Sequence, residues 1–466
     1  MAALLWLRRD LRVRDHPALR AAIDAGGPVT PVFCLDDGLL NGRHRSGSRT
    51  QFLLECLADV DHSFRERGSR LVVCHGAPQD ELPSLARRLD ARSVHFTADA
   101  GPFARRREAQ VSAALSRVGI GAVAHPGLFV VDGLDSIRTG AGRPYTVFTP
   151  FERNWRVQPR RRVLGAPRDL RGVSGSRAST ELPRLSDLGL EAQCSDPMPG
   201  GERAARAALR RFIAGPVKGY ARDRDHLSGG VSRLSPYLHF GCLSPREIEQ
   251  RLSGEGEGAD AFVRQLCWRD FYAHVLAHFP ADARHEHQPR FRGTIGWSHA
   301  ERPFRAWCDG RTGYPVVDAG MRQLRREGWM HNRARLIVGS FLTKDLGIDW
   351  RWGERWFMRL LLDGDEASNN GNWQWIASVG VDPQPASRRI LSPIRQQRRF
   401  DPDGVYVRRY VPELERVPDE FLAQPWAMSR DQQRAAGCLI GRDYPAPIVD
   451  HAKARAEALQ RYRAAR

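Results

Sequence analysis

Over residues 1–125 the chain repeats one pattern, a short apolar run followed by a stretch with apolar residues at helical spacing. The runs are Ala3–Leu7, Pro28–Leu35, Arg70–Cys74, Ser93–Thr97 and Gly121–His125. Between the second and third of them Phe52, Leu53, Cys56, Leu57, Val60 and Phe64 fall on one face of a helix. Strand followed by helix, repeated, predicts a doubly wound parallel sheet with helices on both faces. Such sheets take ligands at the carboxyl ends of their strands. The turn after the first run, LRRDLRVRDH, has no glycine, which excludes a dinucleotide fingerprint there. None of the three lysines, Lys218, Lys344 and Lys453, follows a glycine, which excludes a Walker-type phosphate loop.

Past this region the pattern changes twice. Residues 126–200, with PRRRVLGAPRDLRGVSGSRAST at 159–180, read as a connector over the surface. From Glu202 strand patterns stop and helical ones take over, with Ser244-Pro245 as a helix start and a last helix at 448–463. The expected division is an α/β N-terminal domain at 1–130, a connector at 131–200 and an all-α domain at 201–466. The 72 Lys and Arg against 54 Asp and Glu leave a net charge of +18, which points to an anionic partner, nucleic acid first. Nearly all of these cations are arginine, so coding bias is a competing source of the excess. No apolar run reaches the roughly 18 residues of a membrane span. Ala2–Leu7 is too short for a signal-peptide core, so a cytoplasmic protein, expected as a monomer, follows. The eight cysteines are scattered without C-x-x-C or zinc-type spacing, and they read as reduced, buried thiols with no metal site.

The helical half holds two anomalies. Most of the twelve tryptophans fall between 268 and 375, beside His, Asn, Arg and Asp rather than in apolar stripes. The segment DGDEASNNGNWQW (363–375) gathers carboxylates, amides and two glycines before two tryptophans. Close backbone approach to a flat polar ligand would explain it, and so would a loop capped by Asp and Asn side chains.

Taken with WLRRDLRVRDHPAL (6–19), YTVFTPFERNW (145–155), GVSRLSPYLHFGCLSPRE (230–247), WRDFY (268–272), TGYPVVDAGMRQL (312–324) and GWMHNRARLIVGSFLTKDL (328–346), that segment resembles the photolyase and cryptochrome flavoproteins. The likeness runs along nearly the whole chain and is nearest to the class I-like cyclobutane pyrimidine dimer DNA photolyases. It implies an α/β antenna domain and a helical domain holding a U-shaped FAD. It further implies that Tyr220, Ser232, Arg233, Leu234 and Ser235 meet the FAD phosphates, with Val231 in place of a usual threonine. Arg269, Trp329, Asn332, Arg335, Asp363, Asp365 and Asn369 match residues lining the flavin, with Arg335 paired to Asp363 and Asn369 facing N5. An asparagine there fits photolyase rather than plant cryptochrome behaviour. Trp373, Trp350 and Trp307 match an electron-transfer chain toward photoexcited oxidised flavin.

For the reaction, the resemblance implies that excited FADH⁻ gives an electron to a pyrimidine dimer in UV-damaged DNA, flipped from the duplex. Trp268 and Trp375 match the pocket walls, Arg224 and Arg333 would meet phosphates, and Arg388 and Arg389 are expected on the DNA face. Gln265 stands where a glutamate is usual and Leu336 where a methionine is usual. Of the histidine pair typical of (6-4) photoproduct repair, only His331 is present, before Asn332, and it reads equally as a core histidine. Light-driven splitting of cyclobutane dimers is therefore the expected function, with a blue-light photoreceptor or (6-4) repair as alternatives. Phe103-Ala104 replaces an Asn-Glu pair, which disfavours a folate antenna and leaves a deazaflavin or an empty site.

Overall fold

The computed structural model describes residues 2–172, 181–382 and 384–465. Part of the expected connector, 173–180, lies outside the described residues. Five parallel strands, β1 (Ala2–Leu7), β2 (Val29–Leu35), β3 (Val72–His75), β4 (Ala91–Thr97) and β5 (Gly121–His125), lie in the order β3-β2-β1-β4-β5. β1 registers Ala3 on Val29 and Leu5 on Pro31 on one side, and Leu4 on Val94 on the other. The strand period of two then divides its side chains between two cores. Ala3, Leu5 and Leu7 pack with Phe52, Leu57 and Phe64 of the helix Gly47–Arg65, whereas Leu4 and Trp6 pack with Leu82, Leu85, Val111 and Leu115. Both faces are covered, as a doubly wound sheet requires.

The first of these cores does not stop at the sheet. It continues into Phe240, Phe262, Phe271 and Tyr272 of the helical half, so the two halves share apolar packing. Among the described residues beyond His125 no strand forms, and helices dominate to His451–Ala464. A separate core there gathers Trp307, Trp350 and Trp373. All eight cysteines are buried and free.

The expected surface connector is not all surface. Phe148–Val157 forms a helix whose Phe148, Phe151 and Trp155 are buried, and Leu128, Val130 and Val131 are buried before it. Spacing of i, i+3 and i+7 puts those three rings on one stripe, which outweighs the loop-like composition around them. Asp270 fixes the segment from below, accepting hydrogen bonds from the amides of Val130 and Val131 (3.1 and 3.3 Å) and from the Trp155 indole (3.0 Å).

Candidate functional site

A cavity of about 580 Å³ opens in the helical half, within the roughly 300–1,000 Å³ typical of ligand sites. Four elements build it. The helix Pro216–Asp223 gives Tyr220, and the turn after it gives Ser232, Arg233, Leu234 and Ser235. Gln265, Trp268 and Arg269 share one face of Glu257–His278 at i, i+3 and i+4. By the same spacing Asn332, Arg335 and Leu336 project from Asn332–Ser340. Trp329, Asp363, Asp365 and Trp375 complete the wall, with Arg224 and Arg333 also lining it. Asn369 and Trp373 line an adjoining cavity of about 80 Å³ that shares Asn332, Arg335, Leu336 and Asp363. Residues spread over more than 150 positions of sequence are thus brought to one place.

Polar contacts within the protein hold this wall. Arg335 pairs with Asp363 at 2.8 Å and also donates to the Met330 carbonyl. Arg233, in the left-handed region at φ 52°, pairs with Glu327 at 2.6 Å and lies 4.6 Å over the Trp329 ring. The Trp329 indole donates to Ser235 Oγ at 3.2 Å. Asn369 donates through Nδ2 to the Glu354 carbonyl at 3.0 Å. Arg269 donates to the carbonyls of Leu128 and Leu238, and burial lowers its pKa. Burial likewise pushes the Tyr220 hydroxyl up to about 12. Asp363 Oδ1 and Arg233 Nε are buried with no hydrogen-bond partner. Since unsatisfied buried polar atoms are costly, a ligand carrying both N–H donors and anionic oxygens fits this wall.

One wall residue comes from the α/β half and was not singled out from sequence. Arg9, just past β1, lines the cavity, pairs with Asp365 at 2.6 Å and reaches Asp99 at 3.4 Å. Burial alone would raise the Asp365 carboxyl, but Arg9, His239 and Arg269 hold it well below the usual carboxylate range. The signal lay in RRDLR, whose adjacent arginines had no assigned partner.

Several expected positions turn out differently. The segment 363–375 is neither a ligand-hugging loop nor a capped loop alone: Asp365 accepts from the Ser368 amide as N-cap of the helix Glu366–Ala377. Its Gly371 faces the Tyr272 ring, where a Cβ would collide, so that glycine serves helix packing. His331 caps Asn332–Ser340 by accepting from the Arg333 amide, and burial lowers its pKa to about 4, so it is neutral near pH 7. Arg333 pairs with Asp225 at 2.7 Å. Gln265 lines the cavity while donating to the Ala261 carbonyl of its own helix. Arg388 is exposed, but Arg389 is only 3% exposed and points inward onto Trp375. Trp307, at 0% exposure, lies edge-on to Trp373 at 6.2 Å, with Phe357 5.0 Å from Trp373. Trp350 is 1% exposed and donates to Glu286 at 3.4 Å. None of these three indoles reaches solvent, whereas Trp297 is half-buried, next to the Ser298–Ile348 bridge.

Comparison with known proteins agrees with this architecture. The profile described as DNA photolyase matches residues 3–168, and that of the FAD binding domain of DNA photolyase matches residues 262–464. A deoxyribodipyrimidine photo-lyase from Streptomyces griseus is 40% identical, with 97% of each chain covered. The crystal structure of a class III photolyase from Agrobacterium tumefaciens superposes with a TM-score of 0.93 at 36% identity, covering 100% of this chain and 97% of that one. A cryptochrome from Synechocystis superposes with a TM-score of 0.90 at 29% identity, 98% of each chain being covered. The two profile matches and the likeness along nearly the full length converge on one conclusion: the chain belongs to the DNA photolyase family.

Proposed function

We propose that this protein is a light-driven DNA repair enzyme that splits cyclobutane pyrimidine dimers by electron transfer from photoexcited FADH⁻. The observation that carries this reading is a single cavity combining a flavin-type polar wall with two indoles, Trp268 and Trp375, and with Arg224 and Arg333. Tyr220, Ser232, Arg233, Leu234 and Ser235 would hold the FAD phosphates, and Arg269, Trp329, Asn332, Arg335, Asp363, Asp365 and Asn369 the remainder. When bound, the flavin supplies the light-driven electron.

The chain's own residues supply position and environment. Trp268 stacks on Phe148 with ring centroids 3.6 Å apart and planes 3° apart, which leaves its other face for a flipped base. Stacking of a base on such a ring contributes roughly 1–3 kcal/mol. Gln265 offers an amide to a pyrimidine edge, and Leu336 keeps water from the reacting bond. Arg224, Arg333 and the exposed Arg388 would neutralise phosphates, which makes affinity salt-dependent.

For photoreduction of oxidised flavin, Trp373 is the inner donor and Trp350 the next. The outermost donor has to be re-reduced from solution, so the half-buried Trp297 suits that position and the enclosed Trp307 does not. For the antenna, a deazaflavin in the α/β half or an empty site is the reading that Phe103 and Ala104 leave open. Extracting the second chromophore and recording its emission spectrum tests that choice.

The deciding experiment mixes chemically reduced protein with UV-irradiated oligothymidylate under blue light and follows thymine absorbance against a dark control. Light-dependent recovery is expected. No recovery from protein that holds reduced flavin would move the assignment to a photoreceptor or another lesion.

A further inference from the structure

Two adjacent arginines of the segment 385–393 part company in the fold. Arg388 is exposed and donates to Gln384 at 2.9 Å, whereas Arg389 is buried. Its guanidinium carbon lies 4.0 Å from the Trp375 ring centroid, and Nη1 donates to the Trp375 carbonyl at 2.8 Å. Nη2 pairs with Asp382, and Asp382 in turn accepts the Trp375 indole N–H at 2.9 Å. Ser340 fixes the arginine's backbone, donating to the Arg389 carbonyl and accepting from the Leu391 amide, both at 3.0 Å. One face, the N–H edge and the main chain of Trp375 are thus tied into a closed triangle.

We infer that Arg389 and Asp382 are positioning residues that hold Trp375 as a rigid stacking wall for an extruded pyrimidine dimer, and that Arg389 makes no phosphate contact. The inference rests on the repair reading above and deepens it. A free indole at a cavity wall samples rotamers and loses that freedom when a base stacks on it. Trp375 loses it on folding instead, so lesion binding meets a wall already set. Phe148 covers one face of Trp268 as Arg389 covers one face of Trp375, and both indoles line the cavity. Arg389 is enclosed at 3% exposure, which keeps its guanidinium off the DNA backbone, whereas the Arg333 ion pair to Asp225 stays open to solvent.

The holoenzyme variants Arg389→Gln, Asp382→Asn and Arg388→Gln distinguish the roles. Each is titrated with an oligonucleotide carrying one thymine dimer and with the same undamaged strand, over a series of salt concentrations. For R389Q and D382N, affinity for the lesion is expected to fall about tenfold. In R389Q affinity for undamaged DNA and the salt slope should hold, so that the loss falls on lesion preference alone, and in D382N the ratio of lesion to undamaged affinity should fall. R388Q is expected to weaken both DNAs alike and to reduce the salt slope by about one.

Uniform weakening with a reduced slope in R389Q would make Arg389 a phosphate contact and overturn the inference. Unchanged lesion preference in both R389Q and D382N would overturn it as well, leaving the repair reading intact. Wild-type protein without lesion preference would remove the repair reading and the inference together. If R389Q fails to retain FAD, D382N, which breaks the ion pair that holds Arg389 over Trp375 and leaves the arginine in place, decides alone.

Discussion

Trp297 and Trp307 sit in one short stretch, yet only Trp297 reaches solvent. A relay needs an outer station that a reductant can meet, so the two should behave differently. Trp307→Phe is expected to leave photoreduction of oxidised FAD within about twofold, whereas Trp297→Phe slows it about tenfold or more, a barrier change of about 1.4 kcal/mol. Bleaching of the oxidised flavin band under blue light with an external thiol measures both. The reverse result would restore Trp307 as the outer donor. Residue identity cannot show this, because both tryptophans stand among polar neighbours in WSHAERPFRAW. Arg388 and Arg389 pose the same difficulty: which arginine turns inward depends on Asp382, Trp375 and Ser340, and only the fold brings these together.

At the scale of elements, one helix does much of the positioning. Glu366–Ala377 carries Asn369, Trp373 and Trp375, and its start is set by Asp365, which is both N-cap and partner of Arg9. Asp365→Ala would remove a cap worth about 1 kcal/mol and leave the half-buried Arg9 with its longer contact to Asp99, together costing on the order of 2 kcal/mol. Lower denaturation midpoints and faster FAD release on dilution are the expected readings. An unchanged midpoint would show that Arg9 finds another partner. The neighbouring helix Trp350–Leu360 presents Gly353 to the Trp373 ring, with no room for a Cβ. Gly353→Ala should therefore cost about 1–3 kcal/mol and displace Trp373, the proposed inner donor. A drop in thermal midpoint together with slower photoreduction checks it, and loss of stability alone would mean that Trp373 holds its place. Periodicity placed the sheet strands to within a residue or two, because each is a bounded apolar run. It could not resolve 363–375, where helix, cap and ligand wall use the same Asp, Asn and Gly residues. Nor did it separate Phe148–Val157 from the loop-like composition around it.

For the whole molecule, the question is what joins an α/β half to a helical half, and two buried carboxylates answer it with opposite pH dependence. Asp15, after β1, accepts from Arg161 of the connector and from Ser244 of the helical half. Burial would raise its pKa, but Arg161, Ser244 and the Leu164 amide lower it to about 2. Its stabilisation is complete above about pH 4 and is lost as pH falls toward 2. That loss is on the order of 2 kcal/mol. Asp270 accepts three N–H groups, yet burial wins and its pKa rises to about 6. The folded state therefore binds the extra proton between about pH 4 and 6, and stability falls as pH rises through that window, by on the order of 3 kcal/mol. Asp270→Asn cannot ionise, so the decline of its midpoint between pH 4 and 6 should be shallower than that of the wild type, while the acid limb below pH 4, to which Asp15 and Asp365 contribute, should stay. Thermal midpoints of both proteins from pH 3 to 8 measure the difference. Parallel curves would mean that Asp270 stays ionised throughout, and that its three N–H donors outweigh its burial. The family motifs picked out residues of the helical half that line one cavity, but not this junction, because Asp15 and Asp270 act between segments that composition assigned to a turn, a connector and a helix.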